Sequence, residues 1–178
     1  MKRMQVILVD EQDNALGPCE KMEAHQKGLL HRAFSVFIFN RNGTMLLQRR
    51  AVHKYHSGGL WTNACCSHPA YGETTLDAVH RRLQEELGFY TPVEKVFEFR
   101  YKTMFGNGLT ENELDHVFAG QYAGEIKPNT AEVMDYCYKP IAEISHSLEA
   151  CPQLYTVWFQ LAFPKIRDWW QQQPQYRE

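Results

Sequence analysis

The chain has 178 residues, 44% of them apolar and 22% charged, enough for one domain with its own core, and no Pro/Gly/Ser-rich linker, repeat or low-complexity tract divides it. A formal net charge of -2 excludes a general attraction for nucleic acid, so an anionic ligand needs a local cluster of cations. Cys19, Cys65, Cys66, Cys137 and Cys151 are odd in number and sparse, as free thiols of a reducing compartment are. The start MKRMQVILVDEQDN reaches acidic residues after a short apolar run, and no apolar stretch is long enough for a membrane span, so a single cytoplasmic domain over 1–178 is expected.

In chain order, AFSVFIF (33–39) is followed by Asn42-Gly43 and TMLLQRR, the pattern of a hairpin closed by an Asn-Gly turn, with Arg49 and Arg50 at a strand end. Between 73 and 87, Leu76, Val79, Leu83 and Leu87 recur at three- and four-residue steps, with Thr74 or Thr75 as N-cap and Gly88 just beyond, which predicts a helix. VFEFRYK (96–102) alternates as a half-buried strand, and a Gly-Asn-Gly loop at 106–108 leads to a second strand from about 111 to 122. EVMDYCYK reads as a further strand, IAEISHSL as a short helix, and 154–170 as a closing helix that stops before Pro174. Strands around one central helix, with helices closing the chain, define an α+β fold with a mixed sheet.

WTNACCSHP (61–69) sets two cysteines and a histidine side by side. A disulfide between neighbours is strained and two adjacent thiolates seldom share a metal, so one of the pair is a candidate chemical group, against the plainer reading that both are small buried hydrophobes.

The central helix carries Glu73, seven residues, Arg81, then Leu83, Glu85-Glu86, one residue, Gly88 and Phe89. This spacing resembles the Nudix box, and helical geometry sends Arg82, Glu85 and Glu86 along one side, where a divalent metal and phosphates can sit. Two departures stand out. Ser67 occupies the place of the opening Gly, and Arg82 that of a metal-binding Glu; a guanidinium there weakens a hydrolytic metal cluster and suits a diphosphate oxygen.

With EKMEAHQKGLLHRAFS, WTNACCSHP and TENEL added in order, the chain is similar nearly end to end to the type I isopentenyl-diphosphate isomerases, a branch of the Nudix superfamily. The resemblance implies a Nudix-like fold with a catalytic thiol at Cys66. It also implies a divalent metal, Mn²⁺, Mg²⁺ or Zn²⁺, held by His25, His31, His68, Glu111 and Glu113. Lys21, Arg50, Lys54 and Arg82 would contact the diphosphate, and Glu86 a Mg²⁺ that bridges it. Tyr101 would stand beside the catalytic Glu113, and Trp61 and Trp158 would wall the pocket. Independently, strand alternation puts Glu111 and Glu113 on one face and Tyr101 with Phe97 and Phe99, and imidazole with carboxylate suits these metals. Taken singly, the lysines read as solvated, the histidines as surface or core, and the tyrosine and tryptophans as core.

The implied reaction moves the double bond of isopentenyl diphosphate to give dimethylallyl diphosphate. It needs an acid and a base on opposed faces of a water-free pocket, roles that suit Cys66 and Glu113, and no redox cofactor. Two rivals are a Nudix hydrolase of a nucleoside diphosphate derivative and a non-catalytic module with a structural metal. The expected partner is a small diphosphate, with no nucleic acid or membrane, and the chain a monomer or weak homodimer.

Overall fold

A computed structural model describes residues 4–174, so the first three residues of the MKRMQVILVDEQDN start lie outside the described ones. Strands β1 (Gln5–Val9) and β2 (Ala15–Glu20) form a hairpin that runs into helix α1 (Lys21–Lys27), a unit the hydrophobic pattern did not announce. Glu20 caps α1 by accepting the Glu23 N–H (2.9 Å). Gly28 ends it at φ 61, where a side chain would be strained and would also press on Thr110.

Strand β3 (His31–Phe39) is the spine of the sheet. It runs parallel to β8 (Thr110–Gln121) from His31↔Glu113 to Phe39↔Gln121 and antiparallel, on its other side, to β6 (Cys65–Ser67) through Ser35↔Cys66. β7 (Val93–Met104) extends the sheet beyond β8, and the loop at 106–108 joins the two as expected. β4 (Met45–Arg50) lies between β5 (Trp61–Asn63) and β9 (Val133–Lys139). The expected hairpin of β3 with β4 is therefore corrected to one pair at its turn, Phe39↔Met45. The ladder positions of β3 are taken by β6 and β8, so β4 diverges to other partners. The turn is also longer than a two-residue one: Gly43 adopts φ 70 and its N–H donates to Asn40 O (3.0 Å).

Alternation along β3 buries both faces. Phe34, Val36 and Ile38 join Leu46, Cys65 and Phe118 under helix α2 (Thr75–Leu87), whereas Phe37 and Phe39 join Val117 and Ala119 under α3 (Ile141–Ala150) and α4 (Val157–Gln171). Thr74 is the N-cap of α2 (Asp77 N–H to its Oγ1, 3.1 Å) and Gly88 its left-handed end. The apolar stripe of α2 is Ala78, Val79, Leu83 and Leu87, and Leu76 is corrected to the solvent side at 43% exposure. The closing helix begins later than expected. Leu154 belongs to a single 3₁₀ turn (Pro152–Leu154), Thr156 caps α4, and Pro164 lies inside the helix without ending it. No helix among the described residues is long and apolar enough to cross a membrane.

Candidate active site

The alternation that fills the core under α4 also builds the site. Along one face of β3 the residues are His31, Ala33, Ser35, Phe37 and Phe39; along the same face of the parallel β8 they are Glu111, Glu113, Asp115, Val117 and Ala119. The first half of each series is buried, and its Ser35, Glu111, Glu113 and Asp115 open on a cavity lined by residues of α1, β3, β4, β6, α2, β7, β8, α4 and the 51–60 loop.

His25 on α1, His31 at the start of β3, His68 just after β6 and Glu113 on β8 bring one ligand atom each within 4.8 Å of one another. The outer nitrogens fix what the inner ones offer. His25 Nδ1 lies 2.7 Å from Lys21 O and His31 Nδ1 2.8 Å from Leu29 O. A carbonyl only accepts, so in the neutral ring Nδ1 carries the proton and Nε2 presents a bare lone pair. Those lone pairs face Glu113 Oε1 at 4.0 and 3.4 Å, and His68 Nε2 is 2.9 Å from the same oxygen. The Nε2 atoms of His25 and His31 have no hydrogen-bond partner. Lone pairs and a carboxylate repel unless a cation or proton lies between them, which is the donor set of a divalent metal. Burial pushes His25 down to about 4 and His68 down to about 3, keeping both neutral as ligands must be. Burial opposes ionisation of Glu113, but the adjoining His68 and His31 outweigh it and hold its carboxyl well below the ordinary range.

Glu111, expected in the same set, stands to one side. It groups with His25 and His56, and its Oε1 is 2.9 Å from His56 Nε2. Burial, then the neighbouring Glu113, push it up to about 8. The Tyr101 hydroxyl bridges the pair, 2.6 Å from Glu113 Oε2 and 3.0 Å from Glu111 Oε2.

Cys65 and Cys66 part company because β6 alternates: Cys65 is in the core under α2, and Cys66 lies beside Ser35 in the cavity. Asn63 donates both amide hydrogens to Val36 O and Cys65 O (2.9 Å each), which turns its Oδ1 toward the Cys66 thiol; S–H donates to it at 3.0 Å. Burial, then the nearby Asp115, push this thiol up to about 12. Ser35 Oγ lies 3.5 Å from the sulfur and donates to Asp115 Oδ2 (2.7 Å).

The expected cations line the same cavity. Arg50 lies over the Trp158 ring (5.1 Å to the centroid), Lys21 over Tyr55 (4.8 Å), Lys54 pairs with Glu132, and Arg82 pairs with Glu86 (2.6 Å) and Glu85 (2.7 Å). Burial brings the Lys21 ammonium down to about 8. Glu86 is buried, its second oxygen accepting from Gln48 (2.9 Å). Trp158 lines the cavity with its indole N–H on Thr62 Oγ1 (2.9 Å). Trp61 does not line it; its ring rests on the aromatic core beneath α4. Sequence reasoning missed Ser35, Gln48, His56, Asp115 and Glu132. Alternation from Glu113 contains a signal for Asp115, and the lone hydroxyl in AFSVFIF one for Ser35; His56, on a loop, has no periodic signal.

Fold and site together define a NUDIX-domain protein: residues 29–159 match the NUDIX domain family. Structures at 14–17% identity agree in fold, among them a Deinococcus radiodurans protein (TM-score 0.75, covering 90% of this chain and 98% of that one) and a MutT protein of Methanosarcina mazei (TM-score 0.65, 78% and 94%). Within that class the chain belongs to the isopentenyl-diphosphate Delta-isomerase family. It is 50% identical over 171 residues to the Pectobacterium atrosepticum isopentenyl-diphosphate Delta-isomerase (96% of each chain) and 46% identical over 169 to isopentenyl-diphosphate Delta-isomerase 2 of Photorhabdus laumondii (92% and 96%).

Proposed function

We propose that this chain interconverts isopentenyl and dimethylallyl diphosphates by adding a proton at one alkene carbon and removing one from C2, with Cys66 and Glu113 as the proton-transfer pair. The observation that carries this reading is topological. β6 and β8 flank β3, so the thiol and the carboxylate reach one cavity from opposite sides of a single strand. An alkene has no lone pair, and its protonation creates a tertiary cation that must be kept from water until the second proton leaves. Tyr101 holds the Glu113 carboxylate, Asn63 holds the thiol, and the indole face of Trp158 favours a developing cation by about 2 kcal/mol when desolvated.

Lys21, Arg50, Lys54 and Arg82, which line the same cavity, bind the diphosphate, and Glu86 would help to hold a Mg²⁺ that neutralises its charge. The bare histidine lone pairs fit a divalent ion, Mn²⁺, Mg²⁺ or Zn²⁺, held by His25, His31, His68, Glu113 and the adjacent Glu111; when bound it supplies positive charge that keeps Glu113 ionised and in place. The ion pairs of Arg82 with Glu85 and Glu86 neutralise the α2 acids that a hydrolytic cluster needs, which favours isomerisation over phosphate release. We also propose that 1–178 acts as one cytoplasmic domain, monomeric or weakly dimeric.

Incubation of the protein with isopentenyl diphosphate and Mg²⁺ in D₂O, followed by mass spectrometry, tests the function. The expected product is deuterated dimethylallyl diphosphate with no free phosphate; phosphate without the allylic isomer would replace this reading with the hydrolase.

A further inference from the structure

His25, His56 and Glu111 form a second group of donor atoms within 4.8 Å of one another, beside the group of His25, His31, His68 and Glu113. The Nε2 of His56 is buried and has no hydrogen-bond partner, which is also the condition of the Nε2 atoms of His25 and His31. A proton on that nitrogen would be a buried N–H with nothing to accept it, whereas a proton on Nδ1 has the Ser57 hydroxyl oxygen at 3.2 Å. The neutral ring therefore carries its proton outward on Nδ1, as His25 and His31 carry theirs toward backbone carbonyls, and turns a bare lone pair inward.

That nitrogen lies 2.9 Å from Glu111 Oε1 with no hydrogen bond between them. A lone pair and a carboxylate so close repel unless a cation joins them, and two ligand atoms bound at right angles to one ion at about 2.1 Å stand about 3 Å apart. The ring is fixed in place for such a role. Its side chain is 2% exposed, and it stacks on Phe105 (centroids 4.4 Å apart, planes at 11°) and meets Tyr55 (4.3 Å, 84°) and Trp158 (5.8 Å, 81°) edge-on. The two groups share His25, whose Nε2 has one lone pair and serves one ion only, so they are halves of a single centre and not two separate sites.

We propose that His56 is a further ligand of the divalent ion, its Nε2 joining those of the other three histidines and the carboxylates of Glu111 and Glu113. This rests on the metal reading of the site given above. Four imidazoles and two carboxylates make six protein donors, the number an octahedral Mn²⁺ or Mg²⁺ takes. Ligation by His56 also ties the ion to the 51–60 loop, whose Lys54 lines the cavity and whose His56 O accepts from Arg50 Nη2 at 3.3 Å.

The test loads full-length wild type and His56→Phe with Co²⁺ and counts the exchangeable proton NMR signals that the paramagnetic ion shifts far downfield. Each imidazole that ligates through Nε2 keeps one Nδ1–H near the ion and gives one such signal. Four signals with one Co²⁺ per chain are expected in wild type, and three in His56→Phe, whose ring still fills the space against Phe105 and Trp158. Mn²⁺ retention, by chelator competition and elemental mass spectrometry, is expected to weaken about tenfold or more in the variant, at least as much as loss of a ligand's hydrogen-bonding partner costs. Three signals in wild type, four in both proteins, or two ions per wild-type chain overturn the proposal. Should His56→Phe not fold, His56→Gln, which has no imidazole, is held to the same counts. A wild type that takes up no ion overturns the metal reading and this ligand with it, whereas one ion with three signals leaves the centre standing and removes His56 alone.

Discussion

At one end of the face shared by β3 and β8 the alternate positions are Phe37, Phe39, Val117 and Ala119; at the other they are His31, Ser35, Glu111, Glu113 and Asp115. Both ends follow the same period of two and both are buried, with Phe37 at 0% exposure and Glu113 at 5%. The apolar end is covered by aromatic side chains of α4 and gains from every contact. The polar end carries carboxylates that burial disfavours unless something positive joins them. One end therefore pins the strand register, and the other uses that register to hold groups that would not choose to be there.

Four measurements break or sharpen this contrast. The largest effect is expected on the short strand β6, where the comparison recurs between neighbours. Cys66→Ala should lower turnover by about 10²- to 10⁴-fold with little change in melting temperature. Cys65→Ala, in the core under α2, should leave turnover near wild type while lowering stability by about 1 kcal/mol. Equal turnover losses in the two would erase the distinction.

Next come one residue from each end. Phe37→Ala should cost about 3–5 kcal/mol, read from a denaturant midpoint, without changing the metal bound per folded molecule. Glu113→Gln should do the reverse: turnover falls by about 10²-fold or more while metal is at least partly retained, since an amide oxygen can still face a cation but cannot cycle a proton. A metal-loaded, active Glu113→Gln protein would end the proposed role of that residue.

His31→Ala should weaken metal retention by about tenfold or more, with activity partly restored by excess metal, because a ligand is lost but the proton-transfer pair is not. The smallest effect concerns pH. Lys21 is protonated below about 8 and loses its charge above, so affinity for the diphosphate should fall as pH rises through that value, by up to about tenfold per pH unit. A Lys21→Met variant should bind more weakly and lose this dependence; an unchanged pH profile in the variant would place the titration elsewhere.

Much of this was legible in the chain. The α2 stripe from Val79 to Leu87, the Thr74 cap and the Glu-x-Glu of β8 are local patterns and appear where the sequence puts them, whereas Leu76, in the first turn of α2, faces solvent. The divergence of β4 from β3 was not legible, because which strand occupies a ladder is settled by partners far along the chain. In the site, His25, His31, His68 and Glu113 were expected from the family resemblance, and their ligand atoms lie within 4.8 Å of one another. Trp61 shows the limit of such transfer, since its ring faces core and not cavity. His56 was invisible because a loop has no period, and its contact with Glu111 depends on how that loop folds back over the sheet.

The parallel pairing of β3 with β8 sets His31 opposite Glu113, although 82 positions of sequence separate them. Such a contact forms only after a long loop has closed, late on a folding path where local helices and hairpins come first. The cluster on β3 and β8 therefore does not exist in a half-folded chain. In a refolding experiment, capture of a divalent ion by this cluster would act as a clock for the arrival of β8 at β3, lagging the far-ultraviolet signal of α2 and α4.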